Sequence, residues 1–124
     1  MVNAYDFAVR RHAENAGVII EDDVLEMLAM IEPTKNTSGY RKTPVSFANG
    51  NTIGWQNIEH QMGNLIRFQD SLEPLEFYIE LECIHPAHDG NGRLGAILIN
   101  WKSGTLLTPS VPPKVDFSNL QAYQ

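Results

Sequence analysis

The apolar positions of this chain fall into five helical stretches separated by polar breaks. Residues 3–16 read as a polar first helix whose apolar face is Tyr5, Phe7, Ala8 and Val9, with Gly17 as its stop. Val18, Ile19 and Ile20 are β-branched and predict an extended segment. Val24, Leu25, Leu28 and Ile31 then recur at helical spacing. Asp22 is a better N-cap for this second helix than Glu21, and Pro33 ends it. A third helix is predicted over residues 56–68, with Ile58, Met62, Leu65 and Ile66 on one face. A fourth starts near Glu73, with Pro74 in its first turn. It is rich in large apolar residues through Ile84, so it is expected to sit centrally, and Pro86 ends it. Residues 94–101 predict a fifth, apolar helix.

Between these stretches, residues 34–39 form a loop by composition. Residues 45–47 and 52–55 flank Ala48-Asn49-Gly50-Asn51, and Asn-Gly between short β-like runs predicts a hairpin. Residues 104–114 carry Gly104, Pro109, Pro112 and Pro113 and predict an irregular tail, after which Phe117, Leu120 and Tyr123 suit a last helical turn or two. The expected fold is mainly α with one projecting β-hairpin. It forms a single domain over 1–124, with a core of about 22–102 and a Pro-rich tail over 103–124.

Composition narrows the function classes. The chain has 124 residues and a formal net charge of −6. Such a charge opposes non-specific binding to nucleic acid or anionic lipid, which needs a field of Lys and Arg. A local anion site is still compatible with it. The single cysteine, Cys83, allows no intrachain disulfide and suits a reducing compartment. The first twenty residues hold Arg10 and Arg11 without a long apolar run, and no stretch is long enough to span a membrane. A cytoplasmic protein is expected.

Chemistry concentrates in His85-Pro86-Ala87-His88-Asp89-Gly90-Asn91-Gly92-Arg93, between two apolar helices. Gly90 and Gly92 permit crowded or left-handed backbone, so successive N–H groups can turn inward as an anion nest. The helix that follows adds its free N–H groups and positive dipole end. Asn91 can donate an amide hydrogen bond to a phosphate oxygen, and Arg93 brings a fork of donors matched to phosphate. Asp89 offers a hard oxygen ligand suited to Mg²⁺. A histidine serves as general base near neutral pH, and on chemistry alone either His85 or His88 fills that role. Each residue also has an ordinary structural role: helix end, turn or surface charge. Their conjunction within nine residues points to phosphate handling.

Here the sequence resembles the Fic family, whose motif H-x-F-x-[DE]-G-N-[GK]-R-x-x-R lies in a loop between two central helices. His85, Asp89, Gly90, Asn91, Gly92 and Arg93 match it, and the match selects His85 over His88. Gly39-Tyr40-Arg41, followed by the hairpin and an amphipathic helix, resembles the family's flap, and the likeness runs over about residues 39–102. It implies a Fic-like helical bundle and an enzyme that transfers AMP from ATP to a protein hydroxyl. In that reading His85 is the general base, Asp89 holds Mg²⁺, and Gly90, Asn91, Gly92 and Arg93 bind the phosphates. Flap residues Thr52 and Ile53 engage the target. The implied partner presents a Ser, Thr or Tyr hydroxyl, with room for a separate inhibitor protein and for a homodimer. Neither nucleic acid nor a membrane is implied.

Two positions depart from the family pattern. Ala87 replaces its Phe, with Phe77, Tyr78 or Trp101 as candidates to fill the space, and Ala96 stands at its second Arg. They admit a catalytically degenerate binding module, or a Fic enzyme with another phosphate-containing donor, as alternatives. Gly92 favours nucleotidyl transfer over the phosphoryl transfer of members with Lys there. Ala13-Glu14-Asn15 has the ending of the family's inhibitory helix, but Arg10 stands where Ser or Thr belongs, so Glu14 reads as a solvated residue. His88-Asp89 with His60 and Asp116 resembles a metal phosphohydrolase set only loosely. His12 and His60 read as solvated, and Trp55 and Trp101 as core.

Overall fold

A computed structural model describes residues 2–44 and 54–113. It contains five α-helices: α1 (Val2–Glu14), α2 (Glu21–Ile31), α3 (Ile58–Arg67), α4 (Pro74–Ile84) and α5 (Asn91–Ser103). Single 3₁₀ turns at Trp55–Asn57 and Gln69–Ser71 flank α3. The chain is mainly α, and no strand occurs among the described residues. The hairpin expected around residues 48–51, with Thr52 and Ile53, falls on residues 45–53, outside the described residues. So do Asp116 and the helical turns expected near Phe117, Leu120 and Tyr123. Trp55, expected in a strand and in the core, instead opens a 3₁₀ turn and is 37% exposed.

The centre belongs to α5 rather than to α4. α5 packs against α1, α2 and α4, while α4 packs against α5 and α3. Leu94, Ile97, Leu98 and Trp101 of α5 are buried with Met27 and Leu28 of α2 and Phe77 and Leu81 of α4. Burying such side chains contributes about 1.5–3 kcal/mol each. At the end of α5 distant from the loop, the Lys102 ammonium lies 5.6 Å from the Phe77 ring centre and donates to the Gln69 carbonyl at 2.6 Å.

Helix ends moved where capping differed from expectation. Ile20 caps α2 without a side-chain bond, and Asp22 lies inside the first turn. Three acidic residues there, Glu21, Asp22 and Asp23, complement the positive helix end instead. Buried Asp23 accepts from Arg11 Nε at 3.0 Å and from Asn15 Nδ2 at 3.1 Å, which ties α1 to α2. α4 begins as expected at Pro74, and the Glu76 carboxylate accepts from the Glu73 N–H at 2.9 Å. Residues 18–20 have no strand partner among the described residues, and a side chain takes that place. The Gln69 carboxamide accepts from the Ile19 N–H at 2.8 Å and donates to the Ile19 carbonyl at 2.7 Å.

The segment after α5 is pinned by buried Asn100. Its Oδ1 accepts from the Thr105 hydroxyl at 2.7 Å and the Ser110 N–H at 2.9 Å, and its amide donates to the Ser110 carbonyl at 3.0 Å. No described helix is long and apolar enough to cross a membrane.

Candidate active site

The loop between α4 and α5 starts with a left-handed residue. α4 ends at Ile84, and His85 follows at φ 53°, ψ 62°, its N–H donating to the Leu81 carbonyl at 2.9 Å. Left-handed backbone at a residue with a Cβ is costly and persists only where the surroundings hold it. Arg41 does the holding. It is 1% exposed, and its guanidinium donates from Nε to the His85 carbonyl at 2.5 Å and from Nη2 to the Ile84 carbonyl at 3.2 Å. Its backbone N–H donates to the Pro86 carbonyl at 2.8 Å. A cation thus sits on the carbonyl end of α4, where the helix dipole favours it.

Asn91 closes the loop from inside. Its Oδ1 accepts from the Ala87 N–H at 2.8 Å and its Nδ2 donates to the Ala87 carbonyl at 3.0 Å, so a side chain serves as a strand-like partner for one residue. The carboxamide is buried and occupied within the loop, whereas the sequence reading aimed it at phosphate. What faces outward is backbone. Gly90 caps α5 at φ 85°, with no side-chain cap bond. A Cβ at Gly90 would collide with Ile31, so only glycine fits. The first helical bond of α5 runs from the Leu94 N–H to the Gly90 carbonyl, which leaves the N–H groups of residues 91–93 outside the helical ladder. Gly92 has ordinary helical backbone and open space where a Cβ would stand, so the nest rests on Gly90 alone. Nothing among the described residues requires glycine at 92.

Seven residues, His85, His88, Asp89, Gly90, Asn91, Gly92 and Arg93, line one open cleft of about 340 Å³. Burial, followed by the nearby charge of Arg41, holds the His85 imidazole below its ordinary pKa. His85 is therefore neutral near pH 7, as a proton acceptor must be. Asp89 is held below the ordinary carboxylate range, first by the Lys35 ammonium 3.3 Å from Oδ2 and then by the Gly90 N–H, which donates to Oδ1 at 2.8 Å. Arg93 runs past Gly90 and donates to the Ile31 carbonyl at 3.4 Å, at the end of α2.

The other candidates lie apart from this cleft. His60 pairs with Asn64 on α3 at 3.2 Å, and no group of three or more metal-ligating side chains forms among the described residues. Glu14 is taken by Arg11 at 2.6 Å. His12, read as solvated, packs edge-on against Trp101 with ring centres 5.5 Å apart, and Trp101 donates to the Gly17 carbonyl at 2.8 Å. Ala87 is buried in the core. Phe77 and Trp101, offered as its aromatic substitutes, sit toward the opposite end of the α4–α5 pair, about 15 Å of helix away in the case of Trp101. Three residues escaped the sequence reading of the site: Arg41 as the loop's clamp, Lys35 and Asn36. Their partners in the His85–Arg93 loop are 40 or more positions distant, and the likeness of Gly39-Tyr40-Arg41 to a flap does not reveal the clamp.

The chain is a helical domain built around a loop that presents a neutral histidine, a carboxylate and an uncapped helix start to one cleft. The family model described as Fic/DOC family matches residues 19–102, and the chain belongs to that family. No curated protein sequence matches the chain significantly.

Proposed function

We propose that the protein is an adenylyltransferase that moves AMP from ATP to a hydroxyl side chain of another protein. The observation that supports this most is the His85 imidazole lining the same cleft as the uncapped N-terminus of α5. In this reading His85 accepts the proton of a Ser, Thr or Tyr hydroxyl. The freed oxygen attacks the α-phosphorus, the bond from the α-phosphorus to the oxygen bridging to the β-phosphate breaks, and pyrophosphate leaves. The N–H groups at Asn91, Gly92 and Arg93 face the charge that develops on the α-phosphate. Arg93, released from the Ile31 carbonyl, pairs with the β- or γ-phosphate, because a charged acceptor outcompetes a neutral one.

Asp89 is a single carboxylate with an exposed oxygen. That suits Mg²⁺, which binds through one or two carboxylates together with substrate phosphates and water. Held there by Asp89, Mg²⁺ would neutralise phosphate charge. Thr52 and Ile53 remain the proposed contacts for the target segment, by the family resemblance. A catalytically degenerate binding module is favoured by Ala96, which leaves α5 with no second arginine near its start.

Mass spectrometry of proteins from a bacterial lysate incubated with the chain, ATP and Mg²⁺ tests the reading. AMP on hydroxyl side chains is the expected result. Phosphate on those side chains, or no modification beside a bound nucleotide, contradicts it.

A further inference from the structure

One cation on the cleft has no part in the mechanism above. The Lys35 ammonium stands 3.3 Å from Asp89 Oδ2, and its side chain is 60% exposed. Its backbone is not loosely placed. The next residue, Asn36, is 1% exposed and fastened to the catalytic loop in both directions. Its amide donates to the Asp89 carbonyl at 2.9 Å and to the Leu28 carbonyl at 3.0 Å, and its Oδ1 accepts from the Asp89 N–H at 3.4 Å. Lys35 therefore has a fixed root and an exposed head beside Asp89, at the rim of the phosphate cradle.

The cleft needs such a charge. A nucleoside triphosphate carries several negative charges, and α5 brings only Arg93 to it. The next basic residue on that helix, Lys102, is committed at the opposite end to Gln69 and Phe77. Two other cations are committed elsewhere. Arg11 pairs with Asp23 and Glu14, and Arg41 clamps carbonyl oxygens. Lys35 reaches Asp89 from the turn after α2, and Arg93 lines the cleft from the first turn of α5.

We infer that Lys35 is a further substrate-binding residue, which leaves Asp89 when nucleotide arrives and pairs with the terminal phosphates. This rests on the nucleotide-transfer reading above. A lysine suits the task because its ammonium is a point charge on a flexible stem that can move between a carboxylate and a phosphate. The resting contact with Asp89 then holds the ammonium at the rim until it is exchanged.

Isothermal titration of the full chain with ATP and with AMP, each with Mg²⁺, compares wild type, Lys35→Ala and Lys35→Arg. Both ends of the resting pair are exposed, so the variants should melt like wild type. Lys35→Ala should weaken ATP binding about tenfold, leave AMP binding within about twofold, and be rescued by Lys35→Arg. Equal loss for both nucleotides would overturn the assignment to the terminal phosphates. Unchanged or tighter ATP binding in Lys35→Ala would overturn it too, and would leave Lys35 as a screen for Asp89. Wild-type protein that is folded yet binds neither nucleotide would instead remove the nucleotide-transfer reading, and this inference with it.

Discussion

Arg41 and His85 are 44 positions apart, yet the Arg41 Nε donates to the His85 carbonyl at 2.5 Å and keeps that residue in its left-handed conformation. The proposed base is thus oriented by a residue on the segment leading out of the loop after α2. Arg41→Ala would leave the Ile84 and His85 carbonyls without these donors. It should cost roughly 2–4 kcal/mol of stability. The urea midpoint reads this, and a loss below about 0.5 kcal/mol would show that the clamp is dispensable.

The depressed pKa of His85 has two consequences of defined sign. As a base, His85 works when neutral, so the acid limb of kcat/KM should fall below the ordinary histidine value of about 6.5. For stability, the unfolded chain takes up the proton first as pH falls. The His85 contribution is therefore present above about pH 6.5 and declines below it. An NMR titration of the His85 ring proton checks both, and a midpoint at or above 6.5 would contradict them.

Glu82 behaves oppositely. Its Oε1 is buried without a hydrogen-bond partner among the described residues, where α4 presses on α5 so closely that a Cβ at Gly95 would strike it. Burial pushes its carboxyl up to about 7. The fold therefore prefers the protonated acid. This contribution is present at low pH and is lost as pH rises from the ordinary carboxylate value to about 7. Glu82→Gln should stabilise the protein at pH 8 by about 2–3 kcal/mol, and much less at pH 5. Thermal melts at the two pH values test this. Equal shifts at both would mean that the carboxyl titrates normally.

The parts legible in the sequence are those whose information is local. Helical spacing marked all five helices, and the motif from His85 to Arg93 placed seven cleft-lining residues in one stretch of chain. Helix ends were less legible, because Ile20 caps α2 by backbone conformation alone. Buried amides were hidden altogether. Asn36, Gln69 and Asn100 each replace a missing backbone partner for a loop, and their side chains look like ordinary surface residues until the fold brings the loop to them. Asn91 shows the same effect inside the motif. Its amide is the right chemistry for phosphate, but it is taken up by the Ala87 N–H and carbonyl, and that pairing closes the turn.

The central claim is that His85 activates a hydroxyl for transfer of AMP. Its most direct test uses ATP labelled at either the α- or the γ-phosphate, incubated with Mg²⁺, a bacterial lysate, and wild-type protein or His85→Ala. Label entering protein from the α-position alone, and lost in the variant, is the expected result. Label entering from the γ-position, or α-label persisting in His85→Ala, would contradict it.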